Sequence, residues 1–600
     1  MSKSLVKYVC NPMNIEYKYQ FVELEKMSIY REAADPSLIM FKGKYYLFPS
    51  MTAGFLTSDN LVDWDFHPLK DVPIYDYAPD VRVIGEYIYF SASSKSKNCS
   101  FFRTKDPIKG EFEEIPGDFS FWDPNLFVDD DGRIYFYWGC SNVTPIYGVE
   151  LDPEDMKPIG EPIELIFGKP TVHGYERNGE HHVFGRTPGQ IEEMVQAYAK
   201  SGNVPEERLK LLRLALGSDP YIEGPWMDKY NGKYYLQYAS PATEVNVYSD
   251  GVYVSDKPLG PFALARNNPY SYKPGGFIPG AGHGSTLEDR FGNRWHVASM
   301  RVSVNHPFER RVGLWPAGFD QDGELFCNQR YGDWPMKMEQ AAMNPWGYPE
   351  WMLLSYGKPA CASSCEEGKD ASKATDENIQ NWWKAASNGP GEWLEVDLKH
   401  VCDVHAVQIN FADDQLGLLI PEGVTPMENG ELHKTKRYID ERKHVTRWLL
   451  EGSVDGTEYF VIEDKSEADS DLPHDLVVIE AGVKARFVRC TVNELPYHQN
   501  ACISGLRVFG IGEGELPEKV TGVQTKLLSE LDLSVSWERV TAVGYNVLWG
   551  FEPDKLYHSY MVLGKSQVDI GALVKGQSLY VRVDAFNEKG ITEGDVFQKK

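Results

Sequence analysis

Six hundred residues exceed what one hydrophobic core supports, so several domains are expected; 42% apolar and 25% charged residues is an ordinary globular composition. A formal net charge of −27 repels nucleic-acid phosphates and anionic lipid, and no run approaches the roughly 20 apolar residues that span a bilayer. A neutral partner is favoured, and aromatic residues at 13% suit both β cores and surfaces that stack on sugar rings.

The first twenty residues carry no apolar core segment and no small-residue cleavage site. Nine cysteines (10, 99, 140, 327, 361, 365, 402, 490 and 502) are scattered without a CxxC pair. Both features lead to the expectation of a reduced, cytoplasmic protein, or a secreted one if a leader has been removed. Five similar β-rich units then follow. FKGKYYLFPS (41–50), IGEYIYFSAS (84–93), VDDDGRIYFYWG (128–139), KYNGKYYLQYAS (229–240) and EDRFGNRWHVASM (288–300) each place a turn between two strands, the second aromatic and alternating. Five copies of one hairpin predict a five-bladed β-propeller over residues 1–335. The stretch 190–217 has helical spacing and good helix formers, so a helical insertion is expected over about 188–217, shaping a pocket or bracing the fold. A Pro-containing linker (336–356) leads to a second all-β region, 357–512, and a third, 517–600.

Cleaving a glycosidic bond without a metal takes two carboxyl groups, one to protonate the leaving oxygen and one to activate water or attack. Of 88 acidic residues, three stand out for apolar or aromatic neighbours and for lying just before a hairpin: Asp35, Asp123 and Glu223. Three blades would converge them on one cavity, where crowding and burial push carboxyl pKa values apart. Asp129, Asp130 and Asp131 read as a solvated turn.

Five motifs in order now resemble glycoside hydrolase family 43: Ala34-Asp35-Pro36, Ala78-Pro79-Asp80, the Asp123-Pro124 segment running to Gly132, Glu223-Gly224-Pro225, and Gly282-His283-Gly284-Ser285. SDNLVDW (58–64) resembles the family's first-blade turn. The resemblance implies a five-bladed propeller and an inverting mechanism. It implies Asp35 as general base, Glu223 as general acid with a raised pKa, and Asp123 as the residue that tunes and orients Glu223. His283 is expected at the propeller axis, with a structural Ca2+ linked to it through water; no cofactor is required for the chemistry. Arg310 or Arg311 resembles the family's substrate-contacting arginine, and spacing to Phe319-Asp320 favours Arg310. Trp122 and Trp138 are candidates for the sugar subsite, whereas most tryptophans beside the motifs, Trp226 among them, are expected to pack between blades.

Residues 357–510 resemble the factor 5/8 type C (discoidin) domain, a jelly-roll sandwich, through GKPACAS, GEWLEVDL, SVDGTEY and ARFVRCTV; Trp382, Trp383 and Trp393 read as its core. Residues 517–600 resemble a fibronectin type III module through Trp537, Tyr545, Tyr580 and YVRVDAFNEKG, and self-association through these modules is an expected role. The expected activity is exo-acting removal of a terminal α-L-arabinofuranosyl or β-D-xylosyl residue from plant cell-wall oligosaccharides such as arabinoxylan. A β-galactofuranosidase or galactanase of the same family and a non-catalytic carbohydrate-binding protein are the alternatives. Retention of all three carboxylates favours catalysis.

Overall fold

The computed structural model describes residues 7–23, 26–72, 77–94, 98–200, 202, 204–422, 425–427 and 436–599. Five antiparallel sheets carry the N-terminal half. Blade one comprises Ala34–Phe41, Lys44–Ser50, Gly54–Ser58 and Asp65–Pro68; blade two Asp80–Ile84, Tyr87–Ser91, Phe101–Thr104 and Glu113–Ile115. Blade three comprises Asn125–Val128, Ile134–Trp138, Ile146–Leu151 and Pro158–Ile166. Blade four is built from Ile222–Tyr230, Lys233–Ser240, Ser249–Ser255 and Ala263–Leu264, and the short strand Cys140–Ser141 adds to its first strand. Gly282–Glu288, Arg294–Arg301, Arg310–Phe319 and Leu325–Cys327 make blade five. All five hairpins predicted from the aromatic repeat are the first two strands of a blade. In blades one and four their turns, Lys42-Gly43 and Asn231-Gly232, place both residues at positive φ, the conformation that matches strand twist in a two-residue hairpin.

The first strand of each blade touches that of the next, and blade five returns to blade one, so the ring is closed. Side chains stitch it. Ser37 Oγ accepts the Val81 N–H (3.1 Å), Asp80 Oδ2 the Leu126 N–H (2.7 Å), Asn125 Oδ1 the Met227 N–H (2.9 Å), and Ser285 Oγ the Leu38 N–H (3.0 Å). Each acceptor replaces a ladder bond that neighbouring blades, lying at an angle, cannot make. Asp80 is therefore spent on blade packing, and its burial raises its pKa to about 6. Asp129, read as a solvated turn residue, is instead buried: it accepts from the Tyr234 hydroxyl (2.6 Å) and pairs with Lys229, tying blade three to blade four.

The insertion between blades three and four forms two helices, Pro188–Lys200 and Glu206–Ala215. The Asn142 side chain donates to the Leu214 carbonyl (2.7 Å), which holds the second helix beside the Cys140–Ser141 strand.

Eight strands between residues 352 and 511 form one sheet in which two, Glu392–Phe411 and His474–Glu494, are long enough to bend around a shared core. Trp382, Trp383 and Trp448 are buried in this unit, whereas Trp393 is half-buried under the Arg489 guanidinium. The last region has two antiparallel sheets, one built on Leu533–Ser536 and one on Gly544–Gly550 and Tyr580–Phe586. It packs on the propeller through Tyr272 against Trp549 and through the Arg177–Asp532 ion pair.

The N-terminal hairpin, Lys18–Glu23 and Met27–Glu32, belongs to no blade. It pairs with Lys436–Asp440, so one sheet is shared between the propeller half and the following unit. Arg31, buried, bridges to Asp413 (3.1 Å) and Asp471 (2.9 Å). Among the described residues no helix is long and apolar enough to cross a membrane.

Candidate active site

One backbone device recurs at the inner end of every blade. Asp35, Ala78, Asp123, Gly224 and His283 all have φ between 44° and 57°, and four of the five are followed by proline. A left-handed residue is uncommon outside glycine and marks a constraint worth 1–3 kcal/mol by general estimate, about the strain seen at functional sites. The strand registers of blades one, four and five slip at this same point, between Ala34 and Ser37, Glu223 and Trp226, and Gly282 and Ser285. Such bulges re-aim side chains beside sites. Asp35, Asp123 and His283 thus occupy equivalent positions in blades one, three and five. Glu223 does not. Gly224 holds the equivalent place in blade four, and Glu223 comes one residue earlier.

The side chains meet at the axis. His283 Nδ1 lies 3.5 Å from Asp35 Oδ1 and 3.7 Å from Asp123 Oδ2. Asp35 is buried and accepts from Arg310 Nη1 (2.7 Å) and the Ser50 hydroxyl (2.8 Å). Burial pushes its pKa up, but the Arg310 charge, His283 and the Ser50 bond outweigh that, so Asp35 stays below the usual carboxylate range. Asp123 accepts the Gly224 N–H (3.2 Å). Burial and the nearby carboxylates of Glu223 and Asp35 raise it to about 7, against the opposing pull of His283. His283 is lowered by burial but raised more by Asp35, Asp123, Glu223 and Asp250, and ends above its ordinary value. Two buried aspartates with pKa values driven in opposite directions give the site one group ready to accept a proton and one poised to hold it.

Glu223 is only half-buried, and its carboxylate accepts from the Tyr248 hydroxyl and from Cys140 Sγ (3.1 Å). Arg310 is fixed from behind by Glu32, which accepts from Nε (3.0 Å) and Nη2 (2.6 Å). The rings of Tyr77 and Phe308 each lie 5.3 Å from the guanidinium. Of the two arginine candidates, Arg310 is the one at the site. Arg311 alternates to the opposite face and donates to His474 and the Arg31 carbonyl.

Trp138 does not join this group. Its ring stacks on Phe136 and Tyr147, so its faces are used within blade three and the expectation that it lines a sugar subsite is not met. Trp122, half-buried, directly precedes Asp123. Trp226 packs between blades under the Arg82 guanidinium. Cys140, Tyr248, Glu32, Ser50 and Thr243 were not anticipated. Thr243, like Tyr248, comes from a loop without a repeated motif.

Calcium takes six to eight oxygen ligands. Around His283, Asp250 already accepts the His283 and Gly284 N–H groups, and Asp35 is held by Arg310. A Ca2+ beside His283 would therefore draw its oxygens mainly from water, the arrangement that the resemblance implies.

Gly224 tests the packing of the site. A Cβ there would lie 2.7 Å from the His283 ring, at a backbone φ of +57°. Gly224→Ala is expected to displace His283 and to cost about 1–3 kcal/mol in stability. Thermal unfolding and kcat should fall together; unchanged values would show that the axis is not close-packed.

A closed five-bladed ring that brings Asp35, Asp123 and Glu223 to its axis beside a buried arginine has the parts of a carboxylate-based glycoside hydrolase. The model of glycosyl hydrolases family 43 matches residues 29–185 and 191–325. A β-xylosidase of Xylanibacter ruminicola is 31% identical over 268 residues, covering 38% of this chain and 77% of that protein. Xylosidase/arabinosidase 43A of Humicola insolens is 28% identical over 350 residues, covering 49% of this chain and 95% of that protein, and a xylosidase/arabinosidase of Bacteroides ovatus is 24% identical over 266 residues, 38% and 75%. The chain belongs to glycoside hydrolase family 43, and it is a glycoside hydrolase.

Proposed function

We propose that the protein is an inverting, exo-acting hydrolase that removes terminal α-L-arabinofuranosyl or β-D-xylosyl residues from plant cell-wall oligosaccharides. The observation that carries the reading is the opposed state of the carboxyls at one axis: Asp35 held ionised by Arg310, and Asp123 held toward its protonated form beside Glu223. Asp35 takes the proton of the attacking water. Glu223, steadied by Tyr248, protonates the leaving oxygen, and Asp123 fixes the backbone that carries it through the Gly224 N–H. His283, drawn toward its protonated form by Asp35 and Asp123 against the effect of burial, limits their mutual repulsion. Arg310 and the rings of Tyr77 and Phe308 face the sugar. The names of the similar xylosidases and xylosidase/arabinosidases support the pentose. We assign 357–512 to a discoidin-like sandwich and 517–600 to a fibronectin type III-like module, with 336–356 as the linker; the curled sheet and the paired sheets described above support this.

The test is a panel of aryl α-L-arabinofuranosides and β-D-xylosides, with NMR of the first-formed anomer. The expected result is cleavage of at least one of them with inversion. A retained anomer overturns the assignment of Asp35 as base, because a retaining enzyme uses that carboxylate as nucleophile.

A further inference from the structure

Beyond its hydrogen bond to Glu223, Cys140 forms part of a second arrangement. The ligand atoms of Asp123, Cys140 and Glu223 all lie within 4.8 Å of one another. Cys140 comes from the short strand that pairs directly opposite Glu223, so backbone pairing sets the two side chains together. Asp123 is locked against the same point by the Gly224 N–H. Tetrahedral zinc with one sulfur at about 2.3 Å and two oxygens at about 2.0 Å needs ligand atoms about 3.5 Å apart. The Sγ–Oε2 distance is already 3.1 Å, so closing the triad takes a shift of about an ångström in side chains, two of them only half-buried. His283 Nδ1, 3.7 Å from Asp123 Oδ2, is near enough to steady that carboxylate, as partners of ligating carboxylates do.

We propose that Asp123, Cys140 and Glu223 form an inhibitory site for Zn2+ or another thiophilic divalent cation. Binding displaces to solvent the thiol proton and any proton held on Glu223 or Asp123, leaving thiolate and carboxylates as ligands; no electron is transferred. A metal on Glu223 occupies the oxygens that must carry a proton to the leaving group, so occupation and turnover exclude each other. That consequence rests on the proposed function; the binding does not.

Accessibility makes the site testable. Of the nine cysteines, Cys10, Cys99, Cys327, Cys402, Cys490 and Cys502 are buried, and Cys361 and Cys365 are exposed four residues apart. The exposed pair is a competing ligand set and is removed first, as Cys361→Ser with Cys365→Ser in the full chain. Zn2+ is titrated into this background by calorimetry, and Co2+ is added as a spectroscopic probe for a thiolate-to-metal charge-transfer band. One Zn2+ per chain and a Co2+ band are expected. Cys140→Ala should abolish the band and weaken Zn2+ binding by more than the 10–100-fold typical of losing an outer-sphere partner. Cys140→Ser, which keeps a hydroxyl donor toward Glu223, serves if the alanine variant fails to fold. Equal Zn2+ affinity with and without Cys140, or no Co2+ band, overturns the site. The activity arm uses an aryl pentoside: inhibition should be competitive and reversed by EDTA. Zn2+ binding at Cys140 in a chain that cleaves no pentoside would sink the hydrolase reading and leave the metal site standing; hydrolysis without Zn2+ binding would do the opposite.

Discussion

Glu223→Ala is expected to lower kcat/KM on oligosaccharides by about 10²–10⁴-fold, the range spanned by loss of a positioned general acid. The loss should depend on the leaving group. A 2,4-dinitrophenyl pentoside departs without protonation, so on that substrate the variant should fall far less. The acid limb of the pH profile should stay where it is. Activity needs ionised Asp35, whose carboxyl Arg310 holds below the ordinary value, so the acid limb rises as pH climbs through a pKa below that of a free aspartate. That limb is unaffected by Glu223→Ala. Comparing the two substrates across pH checks both points. An equal loss on oligosaccharide and dinitrophenyl pentoside would show that Glu223 binds the sugar without acting as the acid.

The parts of this site that were legible in sequence are those written locally. Asp-Pro after a short apolar approach marks the left-handed turn at Asp35 and Asp123, and the aromatic hairpins downstream mark the blades. What stayed hidden was set by distance or by register. Glu223 looks like a counterpart of Asp35, but the left-handed position in blade four belongs to Gly224, whose missing side chain makes room for the His283 ring. Cys140 reaches Glu223 from a two-residue strand and Tyr248 from a loop, neither with a motif of its own. Trp138 was misread because a tryptophan on the strand next to a carboxylate motif looks the same in sequence whether it faces the sugar or its own blade. Asp129 sits in a run of three aspartates that a charge pattern reads as solvent-facing; only the tertiary partners Lys229 and Tyr234 bury it. The approach of residue 437 to residue 32 is beyond any local pattern.

That last contact carries the second large effect. Glu32, fully buried, holds Arg310 with one oxygen, and Arg437 from the unit beyond the propeller lies 3.9 Å from the other. Arg437 also donates to the Tyr30 hydroxyl (2.7 Å) and covers the Tyr77 ring. On its strand, Arg437 and Ile439 face the propeller, Ile439 packing with Met51 and Tyr77, whereas Asp440 turns back to Arg442 and His444. A chain ending at residue 356 would lose Arg437 and also Asp413, Asp471 and His474, removing both carboxylate partners of Arg31 and the strand that completes its sheet. Breaking a buried pair costs about 3–5 kcal/mol, a large part of a domain's whole stability. The shortened chain is therefore expected to be insoluble or to keep less than about 1% of the activity, a factor of 10² that needs only ~2.7 kcal/mol. Arg437→Met separates positioning from folding, because the stem is kept and only the charge is lost. With Arg437 gone, Arg310 alone must neutralise Glu32 and is drawn from Asp35. The Asp35 carboxylate is then less stabilised, its pKa rises, and the acid limb of kcat/KM moves to higher pH. The expected fall in kcat/KM is about tenfold, ~1.4 kcal/mol of transition-state stabilisation, with KM changed little and with partial recovery in Arg437→Lys. A fragment ending at 356 that folds with wild-type kcat/KM, or an Arg437→Met profile that superposes on the wild type, would make the second unit a passenger. The shared sheet argues instead that the propeller's site is completed by a strand contributed more than four hundred residues after the hairpin it joins.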